Sequence, residues 1–445
     1  MGETEDMNEP EGSREYSPPP KTFWKTIAAL GPGIILASSI VGSGELIATT
    51  VVGAKVGFGL LWLIILGCAV KVAVQVEIGR NAITWGRTPL ASFDRVPGPR
   101  LGGRGWIYWC WAVMMILIVV QQGGILAGVG QSLAAAMPVT TAGRVSGELH
   151  AELAAAEVNL ALQKRQGSED WVAAKEKLET LRLQSKQLQF PHDASIYSIL
   201  MALVTGVMLA SGRYGLIEKF SLVLVLAFTV FTFLAVVMLQ FDANWAVTGE
   251  ELVSGLTPSF DRNQGGFSVA LAALGIIGVG AAELMVYPYW CLERGYGKSV
   301  GSRSLTDGWA RNAKGWMRVM QLDAWTSMVV YTMVTVFFYM LGAATLGRLG
   351  LVPSGNEMVR TLGQMYVPIF GAWVQQVFLL GAFAVLYSTF FVAAAGNSRM
   401  VADGLVLAGL LKGDEDSRRN AVRVTCVVWV LSALAMAFLF RAPVA

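Results

Sequence analysis

Charged residues are scarce in this chain of 445 residues. Asp, Glu, Lys and Arg make up 15% of it, against about 25% in an average soluble domain, whereas hydrophobic residues make up 54%. The net charge is only +3, which gives no support for binding to nucleic acid. This composition indicates a protein whose main solvent is lipid.

Cysteine and histidine are also few. The four cysteines lie in apolar runs without metal-ligand spacing, so we interpret them as small hydrophobic residues. The two histidines, His150 and His192, fall in or beside one charged segment and are interpreted as solvated side chains or, alternatively, as a weak external metal site. No nucleophile, metal cluster or phosphate-binding loop stands out, so we expect neither an enzyme nor a bound cofactor.

Long apolar runs are abundant. A bilayer-spanning helix needs about 20 mostly apolar residues, and nine stretches qualify. They are 27–54, 57–79, 106–133, 194–212, 216–240, 267–292, 322–346, 371–396 and 421–440. The loops after spans two, four, six and eight are rich in Arg and Lys, and the loop after span five is acidic. The positive-inside rule therefore predicts a multi-pass protein of the cell (inner) membrane with a cytoplasmic N-terminus.

Four segments are expected along the chain. A disordered acidic tail covers 1–22, spans one to three cover 23–142, and spans four to nine cover 191–445. Between them, residues 143–190 carry two apolar stripes separated by Gly167 and are predicted to form a helical hairpin on the external side, standing in water. Because each half of an inverted-repeat transporter should have five spans, we expect this sequence to be truncated before a tenth span.

An internal repeat pairs spans one and six. Residues 41–46 read Val-Gly-Ser-Gly-Glu-Leu, and residues 279–284 read Val-Gly-Ala-Ala-Glu-Leu. Small residues weaken a helix at these points, and each weak point is followed by a carboxylate, Glu45 or Glu283. A charge at mid-bilayer costs about 2.5–3.5 kcal/mol on insertion scales, so it needs a partner.

The pattern predicts an inverted-repeat transporter with a cation site between two broken helices, because unwound backbone exposes carbonyl oxygens. The simpler alternatives are close helix packing for the glycines and a protonated structural acid for Glu283. Lys71 and Glu77 in span two, and Arg80 directly after it, are candidates for a charge partner or a proton route.

A family resemblance supports this interpretation. Gly31-Pro32-Gly33, the segment Gly53 to Trp62, and Leu274 to Gly278 resemble the Nramp divalent-metal transporters. Gln75, Arg80 and Gly86 also fall where that family has the same residues. The resemblance covers most of the chain outside the hairpin. It implies an all-α, LeuT-like inverted repeat with helices one and six broken, alternating access, and proton-linked uptake of Mn²⁺ or Fe²⁺.

The sequence departs from the family at the site itself. The helix-one Asp-Pro-Gly-Asn of the family becomes Gly42-Ser43-Gly44-Glu45, and its helix-six Met-Pro-His becomes Ala282-Glu283-Leu284, with Met285 nearby. Losing a thioether and gaining carboxylates favours harder ions such as Mg²⁺ or Mn²⁺. The predicted metal-site residues are Glu45, Glu283, Gly42, Val279 and Ala282.

The predicted function is therefore secondary transport of a divalent cation, with the ion as substrate and the lipid bilayer as partner. Two alternatives remain open at this point: transport of a small organic substrate such as an amino acid or amine, and a non-transporting membrane sensor or scaffold. The sequence does not indicate an oligomeric state.

Overall fold

The structure is a computed structural model that describes residues 17–167, 170–187, 192–211, 215–242, 245–258, 266–352, 358–363, 366–371 and 373–440. Most of the predicted tail (1–16), Leu188 of the predicted hairpin and the chain end at 441–445 lie outside the described residues.

Helices dominate the described part of the chain. In order they are α1 (Phe23–Ala29), α2 (Pro32–Ile40), α3 (Thr50–Val56), α4 (Leu61–Trp85), α5 (Pro89–Phe93), α6 (Trp106–Ala136), α7 (Thr141–Gln166), α8 (Trp171–Gln187), α9 (Asp193–Ser211), α10 (Gly215–Leu239), α11 (Gly249–Leu256), α12 (Gly266–Ile276), α13 (Ala281–Glu293), α14 (Tyr296–Val300), α15 (Asp307–Leu341), α16 (Met358–Gly363), α17 (Val367–Phe370), α18 (Val374–Leu407) and α19 (Glu415–Phe440). Two π-helical segments, Ser43–Thr49 and Gly342–Gly347, precede α3 and extend α15. A two-residue antiparallel pair joins β1 (Arg100–Leu101) to β2 (Arg104–Gly105).

Length and composition identify the membrane-crossing helices. Among the described residues, six helices are long and apolar enough to cross a bilayer, namely α4, α6, α9, α15, α18 and α19. The pair α1 and α2, bent by 52°, raises this number to seven. Predicted spans one and six fall on interrupted helices, and span five falls on α10, so the expectation of an all-α polytopic membrane protein is confirmed.

Helices one and six are broken where the sequence predicts. Helix one stops at Ile40 and resumes as the π-helical segment at Ser43, and helix six is non-helical from residue 277 to residue 280. Gly278 has a φ of +73°, a conformation that side-chain-bearing residues rarely adopt. The small residues therefore mark true interruptions, and the alternative of close packing alone does not account for them.

The approach to the helix-one break is fixed by a buried carboxylate of α15. Asp323 accepts hydrogen bonds from the backbone N–H groups of Gly31 at 2.9 Å and Gly33 at 2.6 Å. The hydroxyl of Tyr287, on α13, donates to the same carboxylate at 3.0 Å. Because the first N–H groups of a helix have no partner within it, Asp323 satisfies the N–H groups at the start of α2 and so connects α2, α13 and α15.

The two hairpin helices pack on each other and on the rest of the chain. Leu153, Ala156, Leu178 and Leu181 form a small core between α7 and α8, as the apolar stripes predict. Val158 of α7 instead belongs to the main hydrophobic core. α7 therefore has a second apolar face, besides the stripe that packs on α8.

We predict that Val158→Asp destabilises the protein, whereas Val172→Asp in α8 does not. The side chain of Val158 is 7% exposed and that of Val172 is 57% exposed, so only the first substitution buries an unpaired carboxylate, at a cost of about 2 kcal/mol or more. Thermal unfolding of the two variants in detergent measures the difference. Equal unfolding temperatures would show that α7 does not depend on this contact.

Candidate metal site

Glu45 is a buried carboxylate in the first turn of the π-helical segment that follows the helix-one break. It is 0% exposed. Its Oε1 accepts hydrogen bonds from the backbone N–H of Gly278 at 3.0 Å and from the hydroxyl of Thr335 at 3.1 Å. Its Oε2 is buried and has no hydrogen-bond partner among the described residues. Glu45 therefore links the two breaks and keeps one oxygen available for a ligand.

Glu283 holds the equivalent place after the helix-six break. It lies in the first turn of α13, and its carboxylate folds back over Gly280, where even a Cβ would collide with it. Both carboxylates thus sit at the N-terminal end of a helix, where the helix dipole favours negative charge. The repeat seen in the sequence therefore produces two acidic groups in equivalent electrostatic surroundings.

The two carboxylates line one cavity of about 200 Å³. Its lining comprises Ser39, Ile40, Gly44, Glu45, Met114, Ile118, Gln121, Gln122, Ile125, Gly275, Gly278, Gly280, Ala281, Ala282, Glu283 and Thr389. Three of these residues have a buried side-chain oxygen without a hydrogen-bond partner among the described residues: Glu45 Oε2, Gln122 Oε1 and Thr389 Oγ1. Buried polar atoms are normally paired, so this cluster of oxygens is suited to a cation.

The predicted metal-site residues take different positions around this cavity. Ala282 lines it together with both glutamates. Val279 has a fully buried side chain that is not part of the lining, and Gly42 lies directly against Thr389. A Cβ at residue 42 would collide with the Thr389 side chain. The absence of a side chain at Gly42 therefore makes room for a hydroxyl from α18.

The span-two residues separate into two groups. The ammonium of Lys71 donates to the carbonyl oxygen of Ile277 at 2.6 Å, within the helix-six break. Glu77 and Arg80 form an ion pair at 2.5 Å with each other, and their side chains are 61% and 50% exposed. The structure thus brings Lys71 to the site and leaves Glu77 and Arg80 away from it.

Sequence reasoning missed four residues of the site: Gln122, Thr335 and Thr389 as oxygen donors, and Met114 as a thioether in the lining. They come from α6, α15 and α18, and a lone Thr or Met in an apolar span gives no signal. Met285, which the sequence offered as a nearby thioether, is buried but is not part of the lining.

No group of three or more His, Cys, Asp or Glu side chains suited to a metal ion occurs among the described residues. An ion in the 200 Å³ cavity would therefore need amide, hydroxyl or backbone oxygens besides the two carboxylates. His150 and His192 line a different cavity of about 540 Å³ at the base of the hairpin. The acid there, Asp193, already accepts hydrogen bonds from Val139 and Thr140.

The fold of this chain is similar to that of solved membrane transporters. The chain superposes on a mutant of the Eremococcus coleocola manganese transporter with a TM-score of 0.54 and 14% identity, covering 96% of this chain and 74% of that one. The same transporter in complex with an aromatic bis-isothiourea substituted compound gives a TM-score of 0.50 and 14% identity, covering 94% and 72%. The broken helices and these matches define a LeuT-like membrane transporter fold.

The family follows from the sequence itself. The Nramp family model, described as natural resistance-associated macrophage protein-like, matches residues 184–445, which is more than half of the chain. The chain therefore belongs to the Nramp family, and the resemblance noted from its motifs is confirmed. No curated protein matches the chain by sequence.

We predict that Gly42→Ala weakens metal binding about tenfold or more, which corresponds to about 1.4 kcal/mol. The added methyl group would collide with Thr389 and displace an oxygen of the cavity. The collision should also lower the unfolding temperature of Gly42→Ala. Adding Thr389→Gly removes the colliding atoms, so the double variant should unfold at a higher temperature than Gly42→Ala alone. Gly206→Ala in α9, where a Cβ meets nothing within 4 Å, is the matched control and should bind metal normally.

Proposed function

We propose that this protein is a secondary transporter that moves a divalent metal cation of the Mn²⁺, Fe²⁺ and Mg²⁺ class across the cell membrane by alternating access. The observation that carries the proposal is the cavity between the two helix breaks, where Glu45, Glu283 and two unpartnered oxygens from α6 and α18 converge. Membership of the Nramp family supports the same substrate class, and the two solved structures compared above are of a manganese transporter.

The donor set bears on the choice of ion. Carboxylate, amide and hydroxyl oxygens suit hard ions such as Mg²⁺ and Mn²⁺. Met114 adds one thioether to the lining, a donor that softer transition metals accept more readily. The cavity, at about 200 Å³, also has room for an ion that keeps part of its hydration shell, as Mg²⁺ tends to do. We therefore propose a selectivity that includes Mg²⁺ as well as Mn²⁺ and Fe²⁺.

The proposed topology follows the charge of the loops. With the N-terminus in the cytoplasm, α2 leads from the cytoplasmic side to the cavity, and the α7–α8 hairpin lies on the external side. We propose that α2 separates from Asp323 during alternating access. Asp323 accepts hydrogen bonds from Gly31 and Gly33 at the start of α2, and the hydroxyl of Tyr287 donates to Asp323. The hairpin is proposed as an accessory module that rests on the transport domain through α7.

The first functional prediction concerns the carboxylate pair. Purified protein in proteoliposomes should take up divalent ions, and Glu45→Gln and Glu283→Gln should each lower uptake about tenfold or more, because each removes a charged ligand of the ion. Glu77→Gln is the matched control, since its exposed side chain lies outside the cavity. Its uptake should stay within about twofold of wild type.

The substrates tested in this assay should include amino acids and amines besides divalent ions. Uptake of an organic substrate with no uptake of any divalent ion would contradict the proposed substrate class. Uptake of neither, by folded protein, would favour the sensor or scaffold alternative.

The second functional prediction concerns proton linkage. Glu45 and Glu283 line one cavity, and a divalent cation entering it disfavours any proton held between the two carboxyl groups. Metal binding should therefore release protons near neutral pH. Calorimetry in two buffers of different ionisation enthalpy measures the number released. Identical heats in both buffers would show binding without proton linkage and would leave metal transport itself intact.

A further inference from the structure

One peptide unit in the helix-six break is bound on both sides by opposite charges. The ammonium of Lys71 donates to the carbonyl oxygen of Ile277 at 2.6 Å, and Glu45 accepts from the N–H of Gly278 at 3.0 Å. This C=O and this N–H belong to the same peptide bond. A side chain of α4 and a side chain of helix one therefore meet across a single peptide plane of helix six.

The carbonyl of Ile277 needs a donor because the helix stops beside it. Helix α12 ends at Ile276, and α13 begins only at Ala281. A backbone oxygen at membrane depth must be satisfied inside the protein, since lipid offers no donor. Unwound carbonyls in broken-helix transporters are known to coordinate monovalent cations. In this protein the group that binds the carbonyl is itself a cation, and it is covalently attached to α4.

We propose that Lys71 is a tethered cation that permanently occupies a monovalent-cation site at the Ile277 carbonyl, and so holds the helix-six break in position beside the divalent-metal cavity. The lysine side chain suits this role because it is a compact point charge with three donors on a flexible stem. The inference deepens the proposed transport function, on which its uptake readout rests.

If Lys71 only filled space, the variants should behave in the opposite way to that expected for a tethered cation. Lys71→Met keeps an unbranched side chain that is one heavy atom shorter and removes the charge, whereas Lys71→Arg keeps the charge and the donors. If the cation matters, the Arg variant should retain uptake and thermal stability, and the Met variant should lose about tenfold or more in uptake. If only volume matters, the Met variant should retain both.

The sharper test is chemical rescue of Lys71→Ala. This variant lacks three methylene groups and the ammonium, which together correspond to n-propylammonium. Wild-type uptake and unfolding temperature should not respond to this ion. In the variant, n-propylammonium should raise the unfolding temperature and restore uptake at least threefold with saturation, and Na⁺ should give a weaker version of the same effect. Tetramethylammonium, a cation without N–H donors, should do neither.

Lys55→Ala is the matched control, because Lys55 is an exposed lysine at the end of α3. It should behave as wild type without any added amine. The unfolding temperature reports on the tethered cation independently of transport. If the protein moves no metal, the proposed function is refuted, and the unfolding temperatures of the variants still test this inference. Retained stability and uptake in Lys71→Met, or no response of Lys71→Ala to n-propylammonium, would overturn it.

If Lys71→Ala cannot be obtained folded, the comparison of Lys71→Arg with Lys71→Met decides the question. A stable Arg variant beside an unstable Met variant supports the tethered cation. A stable Met variant beside an unstable Arg variant contradicts it.

Discussion

The constraint on which the site depends is that backbone polar groups within a bilayer must be satisfied by protein. A helix interrupted from residue 277 to residue 280 leaves such groups without helical partners, and Gly278, at a φ of +73°, shapes the interruption. Glu45 accepts a hydrogen bond from the N–H of Gly278, and Lys71 donates one to the carbonyl of Ile277. The two charges are costly in an apolar setting, and the break gives each of them a partner, so charge and interruption stabilise one another.

The same arrangement explains how a member of the Nramp family can keep the fold while its signature residues differ. In the alignment that the resemblance implies, the family's helix-one Asp falls on Gly42, and the side chain of Thr389 in α18 lies directly against Gly42. Its helix-one Asn falls on Glu45, which bonds to the helix-six break. In helix six, where the family has Met-Pro-His, this chain has the acid Glu283 in the first turn of α13. The oxygen atoms that line the cavity thus come from four helices, namely helices one and six, α6 and α18. A cavity lined by these oxygens still suits a cation.

Packing, and not only charge, connects the hairpin to the transporter core. The face of α7 that carries Leu153 and Ala156 closes on α8, and a second face carries Val158 into the main core. Near the tip, the guanidinium of Arg165 lies over the ring of Trp245 at 5.0 Å, a cation–π contact that fixes the far end of α7 as well. The hairpin therefore contacts the rest of the chain through α7, both at Val158 and near its tip.

The sequence by itself determined the helices, both breaks and the two glutamates, because apolar length and runs of small residues are local properties of the chain. It could not place side chains whose partners are remote. Thr335, Thr389 and Gln122 reach the site only because α15, α18 and α6 converge there. Glu77 follows Lys71 by six residues, a rotation of about 240° around a helix, so it faces away. Tertiary packing alone decided which face of each span meets the cavity, since hydropathy is nearly uniform around a helix buried in protein and lipid.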